Sequence, residues 1–125
     1  MMAGILTVLI KNARFSYSSD LIGKMDPYLI LRVGSEKRQT KIAEGAGRTA
    51  TYNETFTFNI SGENELKIEA FDRDTLTSDD DLGSKTVDFS SITRGGQMED
   101  TVSLTGILGL FKKGEVDIKI SFTPS

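Results

Sequence analysis

Apolar and polar residues alternate along much of this chain with a period of two, the mark of strands buried on one face. The run at 115–122 is the cleanest, with Val116, Ile118, Ile120 and Phe122 on one side and Asp117, Lys119 and Ser121 on the other. Leu6, Val8 and Ile10 share a face of 5–11; Phe56, Phe58 and Ile60 share one of 54–60; Leu66, Ile68 and Ala70 share one of 65–71. Further strands are predicted over 27–33, 83–89 and 101–104, with an exposed strand over 37–42. Gly34-Ser35 and Ser61-Gly62-Glu63-Asn64 read as turns, and 12–25, 43–50 and 72–82 as loops. The connection at 90–100 has room for a short helical turn, and 105–114 reads as a glycine-rich loop with a polar end at Lys112-Lys113. No segment shows a long 3.6-residue apolar period, and there is no repeat or linker. About eight short strands at this spacing predict an all-β, antiparallel sandwich forming a single domain over 1–125.

Composition narrows the chemistry. With 26% charged and 38% apolar residues, the chain can bury a real core. It contains neither cysteine nor histidine, which removes disulfides, thiolate catalysis, the usual zinc sites and histidine acid–base chemistry. No Ser, Thr or Lys adjoins an evident base, so an enzyme is not expected. The net charge is −3 and no aromatics interleave with the basic clusters, so nucleic acid is not an expected partner. The opening M-M-A-G-I-L-T-V-L-I reads as a first strand rather than a signal peptide, because no basic residue precedes a short apolar run. No stretch approaches the roughly 20 apolar residues of a membrane span. Gly4 does not fit the myristoylation pattern, and the sequons at Asn53 and Asn59 are treated as chance.

The candidate chemistry lies in two loops. Asp20 and Asp26 bracket D-L-I-G-K-M-D-P-Y, and Asp72, Asp74 and Asp80 punctuate D-R-D-T-L-T-S-D-D-D-L-G. Each cluster adjoins a predicted strand. If both loops leave the same end of a sandwich, their carboxylates form a bowl with no fixed positive partner. Neighbouring like charges there cost on the order of 1 kcal/mol each even in water. A hard divalent cation relieves that repulsion, and Ca2+ prefers six to eight oxygen ligands in a flexible cage. An EF-hand register starting at Asp72 fails, since Thr77 stands where Gly is needed and Gly83 where Glu is needed. A haloacid-dehalogenase phosphatase motif fails at Leu76 and for want of alternating helices.

These residues carry a resemblance. Asp20 to Tyr28 matches Asp, five residues, Asp-Pro-Tyr; Asp72, Asp74, Asp80 and Gly83 match Asp-x-Asp, five residues, Asp-x-x-Gly. Tyr52 to Phe58 (Y-N-E-T-F-T-F) and the closing G-E-V-D-I-K-I-S-F match two further strands of the same pattern. Over nearly its full length the chain resembles the C2 domain, a calcium-dependent phospholipid-binding module, and in particular small single-domain members from plants. The resemblance implies an eight-stranded Greek-key sandwich of the type II topology. It departs at Thr49-Ala50, where the family usually has Asn-Pro, which leaves the shape of the second loop open.

The resemblance also implies roles. Asp20, Asp26, Asp72, Asp74 and Asp80 would ligate Ca2+, with Asp79 as the alternative to Asp80 in the acidic run 79–81. Thr77 would add a side-chain oxygen, and Ser19, Met25 and Arg73 backbone carbonyls. Leu21, Ile22 and Leu76 would enter a membrane from the loop tips, and Lys37, Arg38 and Lys41 form a basic strand face able to meet lipid headgroups. The expected function is Ca2+-dependent binding to anionic phospholipid membranes by a monomeric, cytoplasmic module held reversibly at the surface. The alternative is a calcium-independent adaptor for another protein.

Overall fold

The computed structural model describes residues 3–16 and 24–125. Its strands are β1 (Ala3–Phe15), β2 (Pro27–Val33), β3 (Glu36–Gln39), β4 (Thr49–Ser61), β5 (Glu65–Asp72), β6 (Asp80–Asp88), β7 (Gly96–Thr105) and β8 (Lys112–Pro124). They run in the order β3-β2-β5-β6-β7-β8-β1-β4, with every neighbouring pair antiparallel. Between β6 and β7 the register holds a single pair, Ser84 with Thr105. The sheet therefore folds over at that point into two four-stranded layers, which is the predicted sandwich. A short 3-10 turn at Ser90–Ile92 occupies the connection where a helical turn was expected.

The alternation read from the sequence is the burial pattern observed. Leu6, Val8, Ile10, Phe58, Ile60, Leu66, Ile68, Ala70, Val116, Ile118, Ile120 and Phe122 all lie in one core. Phe56 is only partly buried against it. Strand β1 outruns the expected 5–11 because its parity changes midway. Lys11 is an extra residue opposite β8, where Ile10 faces Ile118 and Asn12 faces Asp117. Beyond this bulge the inward positions become Ala13 and Phe15. The register of β1 with β4 shifts at the same place, where Asn53 takes a φ of 50°. That left-handed conformation suits Asn better than most residues, so the motif's Asn marks a bulge. Gly83 (φ 104°) plays the same part in β6, where Leu104 Cβ lies 3.1 Å from any added Cβ.

Because all neighbours are antiparallel, β1, β3, β5 and β7 climb toward one end. The connections 40–48, 73–79 and 106–111 share that rim, together with Asp26, which leads into β2. The edge strands β3 and β4 are not paired with each other, and side chains bridge the gap between β4 and the segment 36–41. Asn59 N–H donates to Glu36 Oε2 (2.8 Å), Lys41 N–H donates to Glu54 Oε2 (3.0 Å), and the Arg38 guanidinium lies 5.1 Å from the Phe58 ring centre.

On the outer face of the other layer, Arg14 grips two β8 carboxylates. Its Nε donates to Glu115 (3.0 Å), and Nη1 and Nη2 donate to the two oxygens of Asp117 (2.8 and 3.1 Å). Arg14, helped by the Thr101 hydroxyl, holds the Asp117 carboxyl at about 2, below its ordinary 3.8. A depressed carboxyl stabilises the fold above its unfolded pKa, and that contribution fades as pH falls through the folded one. Asp117→Asn is expected to be less stable than the parent at neutral pH, with the gap narrowing between pH 3.8 and about 2. Urea unfolding at several pH values checks this, and a gap that ignores pH would remove the ion pair from the account.

Candidate functional site

Strand register builds the rim. Pro27 lies opposite Asp72, and Asp72 opposite Asp80, in a row across β2, β5 and β6. The Asp72 side chain is 1% exposed, yet its oxygen is not idle: Asp26 N–H donates to Asp72 Oδ1 at 2.8 Å. Arg73 N–H returns a bond to the Asp26 carbonyl at 3.1 Å. The two acidic segments, 46 residues apart between Asp26 and Asp72, are thereby stitched together.

The second loop is stitched to the same place. Gly45 N–H donates to Asp26 Oδ1 (2.7 Å), Gly47 N–H to the Met25 carbonyl (3.1 Å) and Ala43 N–H to the Pro27 carbonyl (3.0 Å). Gly45 and Gly47 adopt φ values of 66° and 73°, which glycine takes without a Cβ penalty. The glycines of E-G-A-G thus give this loop its shape without the family's Asn-Pro. Tyr52 closes the base, its hydroxyl donating to the Pro27 carbonyl at 2.6 Å.

The third loop folds around its own aspartates. Asp74 Oδ1 accepts from Leu76 N–H (2.9 Å) and Thr77 N–H (3.3 Å), and Oδ2 from the Thr77 hydroxyl (2.9 Å). The Leu76 amide and then the Thr77 hydroxyl hold the Asp74 carboxyl below its usual range. Asp79 Oδ1 accepts from Asp74 N–H at 2.9 Å, and Oδ2 from the Tyr28 hydroxyl. The Asp74 amide chiefly, and Tyr28 next, keep Asp79 low; burial and then Asp79 push Tyr28 up to about 12. Tyr28 itself stacks on Phe71 with ring centres 5.7 Å apart. The sequence held no signal for Tyr28 beyond its place after Asp-Pro, and none for Gly45.

The expected bowl of bare carboxylates is therefore corrected in one respect: backbone amides already satisfy much of it. A nearby guanidinium, that of Arg73, reaches toward Glu44 (3.3 Å). Its buried Nε has no hydrogen-bond partner among the described residues.

The structure brings Asp26, Asp72, Asp74 and Thr77 to one rim. Asp79 is half-buried there, whereas Asp80 is exposed on β6. The Met25 carbonyl is engaged by Gly47, and Arg73 lies between Asp72 and Asp74. Ser19, Asp20, Leu21 and Ile22 lie outside the described residues. Leu76 stands 91% exposed at the tip of the third loop. Of the basic face, Lys37 and Lys41 are exposed, while Arg38 is drawn onto Phe58 and lies 3.7 Å from Glu36.

Could these residues suit a cation? The donors are hard oxygens, the type Ca2+ takes. Among the described residues, however, no three acidic side chains form a group placed to hold a metal.

Comparison with known proteins agrees with the geometry. The family model described as C2 domain matches residues 4–104. The chain is 34% identical to 16 kDa phloem protein 2 of Arabidopsis thaliana, over 98% of this chain and 83% of that protein. It is 32% identical to Elicitor-responsive protein 3 of Oryza sativa subsp. japonica, over 99% of this chain and 86% of that protein. A calcium-bound structure of a pair of C2 domains from Extended-Synaptotagmin 2 superposes with a TM-score of 0.81 and 26% identity, covering 98% of this chain and 46% of that one.

Asp72→Ala removes the acceptor for Asp26 N–H and is expected to cost about 1–3 kcal/mol of stability. Asp72→Asn keeps an acceptor oxygen and should lose clearly less. Equal losses in urea unfolding would show that the cap does not hold the loops.

Proposed function

The chain belongs to the C2-domain family, and on that basis we propose that it binds anionic phospholipid membranes in a Ca2+-dependent manner, as a non-enzymatic module that docks reversibly. The convergence of Asp26, Asp72, Asp74 and Asp79 on one rim, with Leu76 projecting from it, is the observation that carries this reading. Asp26, Asp72 and Asp74 would hold the ion, together with Asp79 or Asp80, the Thr77 hydroxyl, carbonyls of Met25 and Arg73, and Ser19 and Asp20 from the segment at 17–23. That segment would complete the group that the described carboxylates do not form alone. When bound, Ca2+ supplies positive potential and coordination positions that phosphate oxygens can share.

The remaining steps belong to the chain's own residues. Asp72, fixed by Asp26 N–H, keeps the loops in register. Asp74 and Asp79 are ionised at neutral pH, and amides hold both carboxyls below their ordinary range. Their charge keeps an anionic surface away until it is neutralised, which makes the rim an electrostatic switch. Leu76, with Leu21 and Ile22, then enters the headgroup zone. Lys37 and Lys41 remain free to meet lipid phosphates, while Arg38 serves mainly to close the seam between β3 and β4. No helix among the described residues is long and apolar enough to cross a membrane.

One observation favours the other reading, a calcium-indifferent adaptor for a protein partner. The third-loop carboxylates find donors in the fold itself, which compensates part of their charge.

Sedimentation with anionic and neutral vesicles, with Ca2+ and with chelator, separates the two. The membrane reading expects pelleting only with anionic lipid and Ca2+; indifference to both selects the adaptor. Leu76→Ala should weaken vesicle affinity by up to roughly tenfold. Ca2+ uptake by titration calorimetry should stay unchanged, and unaltered vesicle affinity would remove Leu76 from the docking surface.

A further inference from the structure

The loop joining β7 to β8, T-G-I-L-G-L-F-K-K, reads in sequence as glycine-rich with a polar end at Lys112-Lys113. The structure shows something else. Leu108, Leu110 and Phe111 are 85%, 68% and 72% exposed. With Leu76 they make up four of the five exposed large hydrophobic residues among those described, the fifth being Ile5 at 39% on β1. All four sit on connections of the same rim, so the exposed apolar surface is gathered at one end of the molecule rather than scattered.

The loop is built to present these side chains. Gly106 N–H donates to the Phe111 carbonyl (2.8 Å) and Gly109 N–H to the Gly106 carbonyl (3.0 Å), which closes a tight turn. At its apex Leu108 takes a φ of 61°, a conformation that leucine seldom adopts. A leucine held there in solvent gains nothing from the core, so its placement asks for another purpose. Two lysines stand at its base: Lys112 bonds Glu115 (3.0 Å), and Lys113 Nζ donates to the Asp81 carbonyl (3.2 Å). That last bond ties this loop to the foot of the third one. Phe71, Asp81, Ser84, Thr105 and Leu108 line the shallow groove between them.

We propose that the 106–111 loop is a second membrane-inserting element, which seats Leu108, Leu110 and Phe111 in the interfacial zone of an anionic bilayer beside the third loop. This rests on the membrane reading above. The occupant is argued from chemistry and continuity. An apolar tip over two lysines matches the acyl–headgroup boundary of an anionic leaflet. The tip also shares its end of the sandwich with Leu76. Two separate apolar projections on one rim suit a plane that admits both at once. A protein partner would need two pockets at a matching separation.

The test uses the natural absence of tryptophan from this chain. Phe111→Trp and Leu76→Trp each introduce a single tryptophan, to be excited selectively over the three tyrosines and followed with vesicles of phosphatidylcholine and phosphatidylserine carrying brominated acyl chains. The expected result is a blue shift and bromine quenching at both positions in the vesicle-bound protein. Quenching at 76 without quenching at 111 overturns this inference alone. Absence of vesicle binding overturns it together with the membrane reading. A blue shift at 111 that grows with protein concentration in the absence of lipid assigns the loop to self-association and also overturns it. As a second measurement, the triple variant Leu108→Ser, Leu110→Ser, Phe111→Ser should lose roughly tenfold or more in vesicle affinity. Its thermal midpoint and Ca2+ uptake should match the parent, and unchanged vesicle affinity would sink the proposal.

Discussion

A buried carboxylate that accepts a backbone amide holds the working end of this molecule together. Asp72 is withdrawn from solvent at the top of β5, where an unpaired charge would be costly. Its bond to Asp26 N–H, and the return bond from Arg73 N–H to the Asp26 carbonyl, convert two distant segments into one platform. Asp26 then reaches Gly45 and brings in the second loop. Had Asp72 pointed outward, the first and third loops would have lost the side-chain half of this link and kept the backbone bond from Arg73 N–H to the Asp26 carbonyl.

The same platform changes how charge on the rim is understood. Repulsion among aspartates suggests an unstable cluster waiting for a cation. The structure instead shows amides aimed at Asp74 and Asp79, so their charged forms are stabilised from within the loop and the same bonds hold the loop's shape. Preorganisation of this kind lowers the ordering cost of binding. It separates two quantities that are easily merged: what keeps the loops folded, and what makes them attractive to an anionic surface.

Most of the strands were legible because each buries one face. β8 and the outer half of β4 carry their pattern openly in Val116, Ile118, Ile120, Phe122, Phe58 and Ile60. Where pairing rather than burial makes a strand, the sequence is silent. Gly96 to Asp100 read as a connection because its side chains are mostly exposed and polar, yet β8 pairs with it residue by residue. Asp80 and Asp81 read as loop, yet their backbones pair with Asp72 and Phe71. That pairing is why counting along 79–81 could not assign an inward acid, since strand register decides which side chain turns where. The bulges at Lys11 and Asn53 hid the far end of β1 by switching its parity. In the 106–111 loop the reverse holds: glycines and the following lysines mark a connection, yet Leu108, Leu110 and Phe111 within it are large, apolar and outside the core.

The gap between β3 and β4 has a consequence for crowding. An open strand edge is a template onto which a neighbouring copy can add. Here Glu36 occupies Asn59 N–H, Glu54 occupies Lys41 N–H, and Arg38 covers the Phe58 ring. Each edge is thus partly masked by the other's side chains. Molecules packed side by side at high local density would meet charged, already engaged borders in place of two bare strand edges.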